Sequence, residues 1–163
     1  MRCWVLLGAL AITACGPSPE DLCAAAAETP ATIHIGTGAV VFEALEGGED
    51  VKVVQGPQGG FHILGSFQGS GLHPGTWEDF TDPDNPMVSF SIREAGVSLG
   101  GFDSLPRPLK VRTDGTLELV GEYVVLEIGN MDEATFRTVT FGVEVKDTCG
   151  TTVEDSVEVF LVP

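Results

Sequence analysis

The sequence predicts an all-β domain, a β-sandwich with Greek-key connections, and three observations favour this fold class. Glycine occurs 21 times and proline ten times in 163 residues, a composition that suits many short strands joined by turns. β-Branched and aromatic residues alternate with polar residues in short runs. Amphipathic stretches with a helical period all stay shorter than ten residues. Regular short strands separated by turn signals are typical of a sandwich.

Ten strands follow from these runs, and each is bounded by glycine, proline or aspartate turn residues such as Asp114-Gly115. Leu22 to Glu28 contains four alanines and predicts one helical turn, which Pro30 limits. The predicted strands are Thr32–Ile35, Ala39–Ala44, Asp50–Gln55, Phe61–Gln68, Val88–Glu94, Val97–Leu99, Leu109–Thr113, Thr116–Ile128, Phe136–Lys146 and Thr152–Leu161.

The last two predicted strands show the clearest alternation. Val139, Phe141, Val143 and Val145 fall on one face of the first strand, and Val153, Val157, Val159 and Leu161 form an apolar face on the second. This hairpin resembles the final strand pair of PKD-type and other bacterial Ig-like domains. The resemblance covers about the last 28 residues and implies an Ig-like β-sandwich.

The first fifteen residues have the pattern of an export signal. Arg2 supplies a positive charge, Trp4 to Ile12 is an apolar core, and small residues precede Cys15. The apolar core is too short to span a bilayer, which needs about 20 residues. Ile12-Thr13-Ala14-Cys15 resembles a bacterial lipobox, which implies cleavage after Ala14 and lipidation of Cys15. A plain secretory signal or a buried apolar strand is the alternative.

The lipobox resemblance divides the chain into three parts: a signal peptide (1–14), the lipidated cysteine with a short tether (15–30), and the Ig-like β-sandwich domain (31–163). Several acyl chains are enough for stable anchoring. Gly16 follows the cysteine, which is compatible with an outer-membrane location in the cell envelope. Phe42 to Leu45 and Val53 to Ile63 are also similar to the opening of a group of uncharacterised bacterial lipoproteins.

Two cysteines remain once Cys3 leaves with the signal peptide and Cys15 carries lipid. Cys23 and Cys149 form an even pair, and an exported protein meets an oxidising environment, so we expect a disulfide between them. A metal site is the weaker alternative, because neither cysteine has a Cys-x-x-Cys motif or a neighbouring histidine.

The charge is strongly negative, with 24 acidic against eight basic residues and a net charge of −16. Nucleic acid is therefore an improbable partner, because phosphate binding requires clustered lysine and arginine. The acidity is consistent with solubility, or with attraction to cations and basic partners. The membrane, through the lipid anchor, and an envelope protein or polymer are the expected partners.

Two candidate active sites do not meet the requirements of their chemistry. Ser98 lies in a Gly-x-Ser-x-Gly pattern, but no helical periodicity follows it and all three histidines precede it, so a strand explains the match. His34, His62 and His73 lack the spacing of a transition-metal site, although His34 and His62 could be cross-strand neighbours. We therefore predict no catalytic residues and no enzymatic activity.

The most acidic segment, Glu78 to Pro86, offers the oxygen ligands that calcium prefers. Asp82, Asp84 and Asn85 lie within four residues, but they are also ordinary loop residues and lack the EF-hand pattern. Trp77 and Tyr123 are expected to be buried in the core. The sequence thus predicts a non-enzymatic binding or envelope-structural module without a cofactor. A calcium- or transition-metal-binding lipoprotein is the alternative.

Overall fold

A computed structural model describes residues 19–163 of the chain. The predictions on the signal peptide, Cys15 and residues 16–18 lie outside this range. The two helices are α1 (Pro19–Ala27) and α2 (Met131–Ala134). The strands are β1 (Thr32–Thr37), β2 (Glu43–Ala44), β3 (Asp50–Lys52), β4 (Val54–Gln55), β5 (Phe61–Ser70), β6 (Met87–Glu94), β7 (Val97–Pro106), β8 (Lys110–Val111), β9 (Leu117–Leu126), β10 (Arg137–Lys146) and β11 (Thr152–Val162).

The strands form one curled, mixed sheet, so the described chain is an all-β protein. Their order is β2-β1-β5-β9-β7-β6-β10-β11-β3, with β4 beside β5 and β8 beside β9. β3 pairs with β11 in parallel, and the other pairs in residues 19–163 are antiparallel. The β10–β11 hairpin extends over ten register pairs, as the alternation in the sequence predicted.

Two features interrupt the regular strand pairing of the sheet. β7 and β9 share a single register pair, Gly100 with Leu126. At the other place, the chain leaves the edge of β11 at Val53 and continues as β4 on β5. Val53 donates its N–H to the carbonyl oxygen of Val162 at 2.7 Å before the chain crosses. The predicted strand Asp50–Gln55 is therefore two strands with a crossing between them.

A carboxylate connects β1 to β11. Asp155 Oδ2 accepts a hydrogen bond from the backbone N–H of Ile35 at 2.8 Å, and Asp155 Oδ1 accepts one from Ser156 at 2.9 Å. Ile35 is buried, so its N–H would lack a partner without this side chain. Asp155 thus takes the place of a backbone partner along this edge of β1.

The core lies inside the curl and consists of the inward residues of the long strands. Phe90 stands at its centre, with ring centroids 5.6 Å from Phe141, 5.5 Å from Phe102 and 6.4 Å from Phe67. Fully buried aliphatic side chains surround these rings: Ile63, Ile92, Leu109, Leu161, Val53, Val88, Val124, Val139 and Val145. Burial of such side chains contributes about 1.5–3 kcal/mol each, before the loss of conformational entropy.

One end of the domain, which we call the tether end, gathers α1, the loop 71–86 and the β10–β11 turn. A disulfide joins Cys23 in α1 to Cys149 in that turn, which confirms the predicted pairing. Asp147, in the same turn, accepts a hydrogen bond from the N–H of His73 at 2.9 Å. Pro74 accepts one from Leu109 at 2.7 Å. These contacts fix α1 and the loop to the same end of the sheet.

Several predicted boundaries differ from the structure for local reasons. The predicted strand Ala39–Ala44 is reduced to Glu43–Ala44, because Gly38 has a φ of 111° and the next residues form an exposed bend. The predicted strand Val97–Leu99 instead continues to Pro106. The helical turn was predicted to begin at Leu22, but α1 begins at Pro19. Proline suits the first helical position and acidic residues favour the first turn.

Neither helix within residues 19–163 is long and apolar enough to cross a membrane.

Candidate functional site

An open trough lies on the outward face of β6, β7, β10 and β11. Its volume is about 950 Å³. The opposite face of the same strands supplies much of the core, so the trough rests on a rigid part of the domain. Polar residues dominate its lining: Ser89, Ser91, Arg93, Ser98, Asp103, Glu127, Thr140, Glu144, Glu154, Asp155 and Ser156.

The floor of the trough is a row of small residues that crosses the four strands. Gly101 lies opposite Ser91, Ser91 opposite Gly142, and Gly142 opposite Ser156. Strands lie about 4.8 Å apart, so the row is about 14 Å long. Gly142 is central, since a Cβ there would lie 3.0 Å from Ser91 Oγ and 3.7 Å from the Cβ of Ser156. A larger side chain at Gly142 would project into the middle of this floor.

Longer side chains line the two sides of this floor. On one side, Arg93 lies opposite both Thr140 and Ser98, and it is the only basic residue that lines the trough within the described chain. On the other side, Glu144 lies directly opposite Glu154. Facing carboxylates in a cross-strand pair repel each other. The trough therefore combines one guanidinium group with a strongly acidic opposite side.

A β-bulge shapes the end of the trough at β7. The register of β6 and β7 shifts between Val88 and Phe90, where Ser104 has a φ of 52°. Ser89 Oγ accepts the backbone N–H of Ser104 at 3.0 Å and donates to Asp103 Oδ1 at 2.9 Å. This serine satisfies the polar groups of the bulge and holds the Asp103 carboxylate at the trough. Bulges often place side chains in this way.

These groups suit the binding of an extended polar molecule. Hydroxyl groups can donate and accept hydrogen bonds, carboxylates accept from hydroxyl or ammonium groups, and Arg93 can bind a carboxylate or phosphate. A floor 14 Å long accommodates a chain of several units rather than a single ion. The geometry therefore fits a glycan strand or an extended peptide.

The predicted calcium ligands lie far from the trough, in the loop 71–86. Asn85 is buried and acts within the loop: its Oδ1 accepts from Thr76 N at 2.8 Å, and its Nδ2 donates to the carbonyl of Asp79 at 2.7 Å. Asp82 Oδ1 accepts the N–H of Asp84 at 2.9 Å. Within residues 19–163, no three His, Cys, Asp or Glu side chains are grouped to hold a metal. Calcium binding here stays a prediction.

The serine and the histidines considered in the sequence are dispersed. Ser98 is the second residue of β7 and the chain continues as a strand, as its sequence context predicted. His34 and His62 are not cross-strand neighbours, because His34 pairs with Gln68 and His62 with Val54 and Val125. On β5, the partner of His34 lies six residues from His62, so the prediction that the two histidines are cross-strand neighbours is wrong. His73 is buried at the tether end, where its Nδ1 accepts from Gly75 N at 3.2 Å.

The expectation that Trp77 and Tyr123 are buried is wrong. Trp77 is 48% exposed and its ring lies 6.4 Å from that of Phe80, which is 54% exposed. Tyr123 is 66% exposed and contacts His62 edge-on at 4.7 Å. Trp77 lies in a loop outside the sheet. On β9, Val124 faces the core, so the preceding residue, Tyr123, faces outward. Aromatic content alone did not distinguish these positions from core positions.

Glu118, on β9 near the tether end, is a buried carboxylate with three polar partners. Burial raises its pKa, but hydrogen bonds from Arg112, Gln68 and Lys110 outweigh that effect and hold the pKa below its usual value. Arg112 donates to Glu118 at 2.8 Å and Lys110 lies 3.3 Å from it. The same hydrogen bond raises the pKa of Arg112. This cluster fastens β8 to β9.

Sequence reasoning missed the trough and the role of Asp155, although both leave a trace in the sequence. Gly142 interrupts the outward polar positions of β10, where Thr140 and Glu144 flank it. Asp155 interrupts the inward apolar positions of β11, between Val153 and Val157. Each departure from alternation marks a site where the backbone or a carboxylate has a special function.

The sequence matches no family model, and comparisons with curated proteins and with solved structures find no match.

Proposed function

We propose that the chain is an exported bacterial lipoprotein, anchored to a membrane of the cell envelope through lipid on Cys15. The support is the sequence Ile12-Thr13-Ala14-Cys15 at the end of a short apolar segment. The Cys23–Cys149 disulfide agrees with export, because such bonds persist mainly in oxidising compartments. The outer membrane is the proposed location, in line with Gly16 after the cysteine.

We further propose that the domain is an Ig-like β-sandwich with Greek-key connections. The single register pair between β7 and β9 supports a division into two sheets, β2-β1-β5-β9 and β7-β6-β10-β11-β3. The crossing at Val53 also supports it, because strands that switch sheets form the corners of such folds.

The domain is proposed to be a non-enzymatic module that binds an envelope polymer or protein in the trough of β6, β7, β10 and β11. The observation that carries this proposal is a 950 Å³ trough with a floor of small residues between polar sides. Large concave surfaces on rigid elements are the usual location of binding sites. The fold alone would not suffice, since sandwiches have many functions.

Site-specific photo-crosslinking in cells tests this proposal. A photoreactive amino acid is placed at Thr140, an exposed trough position, and at His34, an exposed strand position away from the trough. We expect defined crosslinked products from Thr140 that are absent from His34. Adding Gly142→Gln to the Thr140 variant should abolish these products, because the new side chain fills the floor.

The same experiment can contradict the proposal. Products that are identical at Thr140 and His34, or that persist unchanged with Gly142→Gln, would show that the trough is not the binding site. Thermal unfolding of the Gly142→Gln protein is the control. Its backbone φ lies in the ordinary range and only Ser91 must shift slightly, so the fold should be retained.

A further inference from the structure

Four of the twelve large apolar side chains that are exposed within residues 19–163 lie at the tether end. Leu22 in α1, Trp77 and Phe80 in the loop 71–86, and Val111 in β8 are each more than a third exposed. Leu22 and Val111 line one groove of about 370 Å³ together with Thr76, the residue before Trp77. We call Leu22, Trp77, Phe80 and Val111 the tether-end patch. Soluble surfaces seldom concentrate apolar side chains in this way without a partner.

The length of chain between the proposed anchor and the domain limits how far this end can lie from the membrane. Four residue steps separate Cys15 from Pro19, which reach about 14 Å when fully extended. Four further steps along α1 to Cys23 add about 6 Å. Cys23 therefore lies within about 20 Å of the lipidated cysteine, about half the thickness of a bilayer.

The disulfide determines which end of the sheet lies near the anchor. Cys23 is bonded to Cys149, so the β10–β11 turn shares the same limit. β6 runs antiparallel to β10, with Met87 opposite Lys146 at this end and Arg93 opposite Thr140 toward the other. The β6–β7 turn thus lies about 23 Å farther along the strands. The tether end is the end that faces the membrane.

The charged residues around the patch indicate which kind of membrane surface it can contact. Lys110 and Arg112 flank Val111, and both retain exposed side chains while they bind Glu118. Carboxylates flank the aromatic pair on the other side of the patch, at Glu78, Asp79, Asp82 and Asp84. A zwitterionic headgroup layer presents both phosphate and ammonium groups and matches this mixture. A purely anionic surface would repel the carboxylates.

We propose that the tether-end patch rests on the zwitterionic surface of the membrane that holds the lipid anchor, with Trp77 and Phe80 at the headgroup level. The inference rests on the proposed lipidation of Cys15. Aromatic side chains favour this interfacial region. The anchor keeps the patch at a high effective concentration near the bilayer, so a small apolar contact is sufficient. The trough on β6, β7, β10 and β11 then stands at the side of the domain.

Trp77 fluorescence measures this contact directly, because Trp77 is the only tryptophan once residues 1–14 are removed. The mature lipidated protein is reconstituted in phosphatidylcholine vesicles, with and without bromine on the acyl chains near the headgroups. Brominated lipid quenches only nearby tryptophans, and we expect Trp77 emission to fall to about half. The matched control moves the tryptophan to the far end with Trp77→Phe and Val97→Trp. Val97 is 66% exposed beside the β6–β7 turn, and the emission of a tryptophan at this position should not be quenched.

Three outcomes are distinguishable. Quenching of Trp77 but not of the tryptophan at Val97→Trp supports the proposed contact. Protein that floats with the vesicles but shows no quenching of Trp77, or equal quenching at both positions, overturns the contact and leaves the anchor intact. Mature protein that does not float with the vesicles, like a Cys15→Ser control, overturns the anchor and the contact together.

Discussion

Loss of the Cys23–Cys149 disulfide should strongly destabilise the domain. The bond closes a loop of 126 residues, which restricts the unfolded chain far more than the folded one. The chain-entropy relation gives about 5 kcal/mol for a loop of this size, as an upper value. For a domain of this length, that corresponds to a decrease in the melting temperature of about 10–20 °C.

Urea unfolding of the oxidised protein, the reduced protein and the Cys23→Ser/Cys149→Ser double variant measures this effect. The midpoint should fall equally in the reduced protein and the double variant. The slope m should rise in both, because an unfolded chain without the crosslink exposes more surface. Thr148→Ser, an exposed substitution in the same turn, should leave both quantities unchanged.

A reduced protein with the same midpoint and slope as the oxidised protein would refute this reasoning. It would mean that α1 is not held to the β10–β11 turn in solution, and that the tether end has no fixed orientation. A fall in the midpoint with no change in m would point instead to strain or lost packing in the folded state.

Three further substitutions test contacts elsewhere in the domain. Asp155→Ala should reduce the free energy of unfolding by about 1–3 kcal/mol, because it leaves the buried N–H of Ile35 without a partner, whereas exposed Glu154→Ala should change it little in the same urea titration. Asn85→Ala removes the two hydrogen bonds that the Asn85 side chain makes within the loop 71–86, so limited proteolysis should cleave this loop faster while β10 and β11 stay protected. Glu118→Gln should be less stable than the native protein at neutral pH, and the difference should be lost as the pH falls through the lowered pKa of Glu118, because the fold is stabilised only while this carboxyl is ionised. A difference that persists in acid would contradict this assignment for Glu118.

The sequence predicts the long strands well because they carry their own signal. Arg137–Lys146 and Thr152–Val162 alternate over most of their length, and both lie within one residue of the predicted bounds. The disulfide was also predictable, since residues 19–163 contain two cysteines, Cys23 and Cys149. These features depend on local periodicity or on counting, not on which strands become neighbours.

The trough and the edge contact could not be predicted, because they depend on lateral register. Gly101, Ser91, Gly142 and Ser156 form one row only when two hairpins that are distant in sequence, β6–β7 and β10–β11, align side by side. The contact from Asp155 to Ile35 spans 120 residues of sequence. The bounds of short strands were predicted poorly for a related reason, because neighbouring strands decide whether a segment such as Ala39–Ala44 is paired.

Mass spectrometry of the amino-terminal peptide of the membrane-extracted protein tests the proposed anchoring most directly. We predict a peptide that begins at Cys15, lacks residues 1–14, and carries a thioether-linked diacylglycerol with an acylated amino group. A Cys15→Ser variant serves as the control. It has no thiol to form the thioether, so its amino-terminal peptide should lack the mass of the diacylglycerol. A peptide that begins at another residue, or at Cys15 without lipid, would contradict the lipoprotein assignment.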